Sequence, residues 1–154
     1  MQAQIKDDPA AIFLGIRHRT TIPQIAKIAG SGMWPLEQEV ERIGAQMAGP
    51  STFLYYGADG NPNTEFDLLL TVPIASKPEK VGEGFEIVAA PSFHCISVEY
   101  VGSMPNIHSG YGVLMEAIGS QGLRPTGESR EIYKKWVDYD SNQNVTELQI
   151  GIEK

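Results

Sequence analysis

The chain is written twice, and this constrains its fold more than any local propensity. Gly49-Pro50-Ser51-Thr52-Phe53-Leu54-Tyr55 and Gly127-Glu128-Ser129-Arg130-Glu131-Ile132-Tyr133 hold their Gly and Tyr six residues apart. The same offset carries Leu68-Leu69-Leu70-Thr71-Val72-Pro73-Ile74 onto Thr146-Glu147-Leu148-Gln149-Ile150-Gly151-Ile152. Each pair of segments reads as a strand, a turn rich in Gly, Asn, Asp and Pro, and a second strand. A repeat at half the chain length means one supersecondary unit used twice, and neither copy buries enough apolar surface alone.

The helical patterns repeat as well. Leu36, Val40, Ile43 and Met47 step by four, three and four, and Ile107, Tyr111, Leu114 and Ile118 do the same. Such a stripe is the apolar face of a helix lying on a sheet. Pro35 suits a first helical turn. Thr21 and Gln24 have the spacing of a capping box. Gly49 and Gly122 stand where helices commonly stop. Strand-like runs at residues 12–17 and 92–101 precede the two helices, and residues 85–88 read as a further short strand. The expectation is one α+β domain, residues 1–154, of two pseudo-symmetric strand–helix–strand–strand repeats. These lie at about 10–75 and 85–153, with a connector at about 76–84, in an antiparallel sheet with helices on one face and a ligand cleft between the halves.

The 154 residues are enough for one domain. The formal net charge of −7 disfavours contact with nucleic acid phosphates or anionic membranes. The start lacks the apolar run of a signal peptide, and no stretch has the length of a membrane span, so a cytoplasmic location is expected. Cys95 is alone, which excludes an internal disulfide. His18, His94 and His108 are scattered without a second ligand at metal spacing. No phosphate-cradling glycine loop or serine elbow occurs. The reading is therefore no metal, no cofactor and no established catalytic constellation.

The aromatics are more informative. Trp34, Tyr55, Tyr56, Tyr100, Tyr111, Tyr133 and Trp136 fall at equivalent or adjacent places in the halves. Tyr and Trp offer apolar bodies, polar edges and π-faces that attract cations. For Tyr111, which lies on the helix stripe, core filling is the favoured reading. On the last strand, Thr146, Leu148 and Ile150 should meet the helix, leaving Glu147 and Gln149 on the other face. The matching segment of the first half is apolar on both faces, which suggests that both faces are covered. A carboxylate there is costly unless paired, and one use for it is to pair with a cationic ligand. A solvated glutamate is the plain alternative.

These residues together resemble the GyrI-like, or bacterial effector-binding, domain. The resemblance rests on Leu14-Gly15-Ile16-Arg17-His18-Arg19, Gly49-Pro50 with Tyr55-Tyr56, residues 66–74 ending in Val72-Pro73-Ile74, and Gly122-Leu123-Arg124-Pro125-Thr126-Gly127. It continues through Arg130-Glu131-Ile132-Tyr133 and Thr146-Glu147-Leu148-Gln149-Ile150, spanning nearly the whole chain. Such domains serve as the ligand-binding part of AraC- and MerR-type multidrug regulators and as stand-alone gyrase-inhibitor-like proteins. The resemblance implies an aromatic cleft for hydrophobic, often cationic, compounds, with a buried glutamate on the last strand, where Glu147 stands. The family often has Gly-Pro-Tyr where this chain has Gly102-Ser103-Met104, and a tryptophan where it has Ala117. Met104 would line an adaptable cleft. Three readings stay open: a small-molecule binder, a hydrolase of reactive electrophiles, and a protein-interaction module, with a homodimer the commonest assembly.

Overall fold

The computed structural model describes residues Met1–Lys154. Its strands are β1 (Gln4–Asp8), β2 (Ala11–Thr20), β3 (Thr52–Tyr56), β4 (Phe66–Ile74), β5 (Glu86–Ala90), β6 (Phe93–Val101), β7 (Pro125–Lys135) and β8 (Val145–Ile152). Helix α1 (Ile25–Arg42) lies between β2 and β3, and α2 (His108–Gln121) between β6 and β7. All eight strands form one curled antiparallel sheet in the order β1-β6-β8-β7-β3-β4-β2-β5. This is the expected α+β architecture. Mapping the second copy onto the first reverses the strand order, so a pseudo-twofold axis passes between β3 and β7.

β1 was not anticipated. Gln4, Lys6 and Asp8 break any apolar run, yet the strand pairs with β6 of the second half through Asp8↔Phe93 and Lys6↔Cys95. β5 does the converse, pairing with β2 of the first half through Ala90↔Ala11. Only Pro9-Ala10 and Pro91-Ser92 separate these strands from their successors. Each half thus lends its leading strand to the other, and the two ends of the sheet are drawn together.

The pairing register fixes the faces. Leu70↔Phe53, Phe53↔Glu131 and Glu131↔Leu148 are cross-strand partners, so all four side chains stand on one face. α1 covers the β2–β4 end of that face, with Leu36 and Val40 packed against Leu14, Phe53, Phe66 and Leu70. α2 covers the β6–β8 end, with Leu114 and Ile118 packed against Ile96, Val98 and Leu148. Burial of each such leucine contributes about 2 kcal/mol, which holds the helices down. β3 and β7 lie at the centre of the sheet between the two helices, and the space over them is the cleft between the halves, called the groove below.

Four details of the helices differ from expectation. α1 begins ten residues before Pro35, which sits inside it. Its missing N–H leaves the carbonyl of Ser31 without a partner, but Ser31 is exposed and water can serve it. Thr21 makes no side-chain cap, because a 3₁₀ turn over Ile22–Gln24 precedes the helix. The equivalent helix positions are Gly32 with Gly110 and Leu36 with Leu114, not Leu36 with Ile107. A Cβ on Gly32 would come 2.5 Å from Leu70 Cδ1, and one on Gly110 would come 2.6 Å from Leu148 Cδ1. Both helices stop at a left-handed glycine, Gly44 (φ 67°) and Gly122 (φ 65°), rather than at Gly49. The expected alignment was wrong by seven residues, two full turns, which preserves the stripe while shifting its partners.

No helix is long and apolar enough to cross a membrane.

Candidate functional site

The groove floor is built from β3 and β7. Alternation along β3 points Phe53 and Tyr55 into it, and alternation along β7 points Glu131 and Tyr133 into it. From the side, α2 delivers Tyr111. All three tyrosine hydroxyls donate to one carboxylate. Tyr55 reaches Glu131 Oε1 at 2.9 Å and Tyr133 reaches the same oxygen at 2.5 Å, while Tyr111 donates to Oε2. Glu131 is 6% exposed and Tyr55 4%. Phe53 meets Tyr133 edge-on at 4.8 Å, and Tyr133 meets Trp136 edge-on at 5.8 Å.

Glu131 forms no salt bridge: no Lys, Arg or His nitrogen lies within 4.0 Å of its carboxylate. A buried carboxylate without a counter-ion is held only by its donors. Burial, and then the Glu131 charge, push the hydroxyls of Tyr55, Tyr111 and Tyr133 well above their ordinary range, so all three remain donors.

Glu147, by contrast, lies on the opposite face of the sheet. It is 5% exposed and saturated. Lys6 approaches at 2.5 Å and Lys134 at 3.1 Å, while Ser97 donates at 2.8 Å and Gln149 at 2.6 Å. Burial works against its ionised form, but these four partners prevail and pull its carboxyl down to about 2. A polar cavity of about 390 Å³ adjoins it, lined by Lys6, Ser97, Glu99 and Lys134 among others. Gln149 is fully buried and also donates to Asp8 at 2.6 Å. Arg130 shares this face, with its guanidinium 4.0 Å from the Phe93 ring and 5.4 Å from Phe13.

Of the expected site residues, then, the groove unites Tyr55, Tyr111 and Tyr133. Glu147, Gln149 and Tyr56 lie across the sheet, Tyr56 beneath Arg17 at 5.8 Å. Tyr100 belongs to the α2 core, where its hydroxyl donates to the Ser103 carbonyl at 2.7 Å. Met104 opens a 3₁₀ turn before α2, and Trp34 is 67% exposed on α1. Glu131 is the residue that sequence reasoning passed over. The repeat contained the signal: alignment sets it against Phe53, a carboxylate where the other copy has a ring.

Two strand–helix–strand–strand repeats joined in one antiparallel sheet, with a helix at each end of one face, define the class of fold. The family model of the GyrI-like small molecule binding domain matches residues 1–153, and the chain belongs to that family. Among solved structures, the EcmrR C-terminal domain is 21% identical with a TM-score of 0.83, over 99% of this chain and 98% of that one. SAV2435 bound to tetraphenylphosphonium is 15% identical with a TM-score of 0.67, over 99% and 94%. A hydrolase from Listeria innocua is 11% identical with a TM-score of 0.66, over 99% and 92%. At these identities the likenesses show the shared fold. A search of curated proteins by sequence gives no match.

Proposed function

We propose that this domain binds hydrophobic organic cations in the groove between α1 and α2, with Glu131 as the charge anchor. The observation that carries the reading is that Glu131 is buried, lacks a counter-ion and is held by three tyrosine hydroxyls. Tyr111 and Tyr133 are only partly buried, so their rings can turn outward while Tyr55 stays as floor. The turned rings then present π-faces to the ligand and the carboxylate faces its charge. Glu147 remains the anchor suggested by the sequence, but its two lysines already neutralise it, and on that ground Glu131 is preferred. The likeness to SAV2435 in its cation-bound form agrees with this reading. Calorimetric titration with tetraphenylphosphonium, against neutral triphenylphosphine oxide of similar size, tests it. Preference for the cation supports the proposal, and equal binding of both compounds removes it.

A second reading has one observation behind it, the shared fold of the Listeria innocua hydrolase. A buried carboxylate beside three hydroxyl donors can act as nucleophile or general base, with a tyrosine protonating the leaving atom. Turnover of an electrophilic compound by the wild type, lost in Glu131→Gln, would establish it.

A further inference from the structure

The strand β7 does not run evenly into its loop. Ile132 pairs with Glu147 and Tyr133 with Thr146, but the next partner of Val145 is Lys135, so the ladder slips by one residue between Tyr133 and Lys135. Lys134 is the extra residue, and its ammonium turns to Glu147 and Glu99 on the far face. A bulge reverses the alternation of everything beyond it. Without it, Trp136 would stand on the far face with Arg130, Ile132 and Lys134. With it, Trp136 stands on the groove side, its ring edge-on to Tyr133.

The placement is held by the chain around it rather than by burial of the ring. Asn144 is fully buried. Its Oδ1 accepts the N–H of Val137 at 2.8 Å, and its Nδ2 donates to the Asp138 carbonyl at 2.7 Å. Met104 donates its N–H to the Tyr139 carbonyl at 3.0 Å, tying the same loop to the start of α2. Trp136 is nevertheless 52% exposed, and Val137 and Tyr139, which follow it in the chain, are 50% and 44% exposed. A fixed, half-exposed indole with apolar neighbours, in contact with a residue that donates to Glu131, is surface available to a ligand.

We infer that Trp136 is the outer wall of the cation site: its indole face receives the aromatic part of a lipophilic cation whose charge faces Glu131. This rests on the groove reading above and adds a specificity determinant to it. Phe53, Tyr133 and Trp136 form a chain of rings from floor to rim, so the site favours cations bearing several aromatic rings over compact alkylammonium ions. The exposed Asp138 and Asp140 that follow in the loop add negative potential at the entrance.

The test uses tetraphenylphosphonium and the two tryptophans as separate reporters. In Trp34→Phe, where Trp136 is the remaining indole, saturation should change the emission. In Trp136→Phe, where Trp34 remains, it should not. Trp136→Ala should weaken binding about fivefold, the scale of one exposed cation–π contact, and Trp136→Phe should stay within about twofold of wild type. If Glu131→Gln abolishes binding while Trp136→Ala binds as wild type and Trp136 emission is unchanged, the inference is overturned and the groove reading stands. If Glu131→Gln binds as wild type, both fall.

Discussion

Phe53 and Glu131 are the same residue position in the two repeats and are also direct cross-strand partners. They sit on the pseudo-twofold axis, where a repeat protein's two copies must touch. Identical residues there would give either two stacked rings or two like charges at cross-strand distance, the second strongly unfavourable. Making the pair unlike places one carboxylate against one ring at the centre of the groove. The asymmetry of this single pair leaves one charge at the centre of a symmetrical scaffold.

That charge has a cost to the empty protein. Glu131→Gln keeps the shape and removes a buried, uncompensated charge, so unfolding in urea should show stability unchanged or raised by up to about 2 kcal/mol. Tyr133→Phe should instead lower it by about 1–2 kcal/mol, because a donor to a buried charge is lost. A marked loss of stability in Glu131→Gln would show that the carboxylate is structural.

Glu147 predicts the acid behaviour. Its carboxyl is held at about 2 in the folded protein, below its ordinary 4.5. The stabilisation is therefore complete above about pH 4.5 and is lost as pH falls from there towards 2. With Lys6 and Lys134 partly exposed, its size is on the order of 2 kcal/mol. Thermal melts from pH 6 to pH 2 should show a steeper decline in wild type than in Glu147→Gln, and parallel curves would contradict the ion-pair account.

Two of the three glycines of α2, Gly110 and Gly112, separate packing from propensity. A Cβ at Gly110 would meet Leu148 Cδ1 at 2.6 Å and Tyr100 Cβ at 3.2 Å, whereas one at Gly112 meets nothing within 4 Å. Gly112→Ala should stabilise by up to about 1 kcal/mol through helix propensity. Gly110→Ala should destabilise by about 1–3 kcal/mol, because overpacking outweighs the same gain. Equal effects in chemical denaturation would mean that α2 does not lie closely on β8.

These residues also mark how far the sequence could be read. The repeat, the α+β class and the apolar stripes followed from periodicity, and Tyr55, Tyr111 and Tyr133 followed from their equivalent or stripe positions. The helix register did not, since a slip of two turns leaves a stripe looking the same. β1 was hidden because an edge strand with Gln4, Lys6 and Asp8 lacks an apolar face. Glu131 was obscured because Arg130 and Glu131 put a charge on each face of β7, so alternation cannot say which face is covered. Trp136 could not be placed at all, because its face depends on a bulge.

The most direct test of the central claim is titration of tetraphenylphosphonium into wild type, Glu131→Gln and Glu147→Gln by calorimetry. The account predicts that Glu131→Gln loses at least tenfold in affinity, since a desolvated charge pair is broken, while Glu147→Gln stays within about threefold of wild type. The reverse result, with binding intact in Glu131→Gln and lost in Glu147→Gln, would move the site to the other face of the sheet and contradict the account.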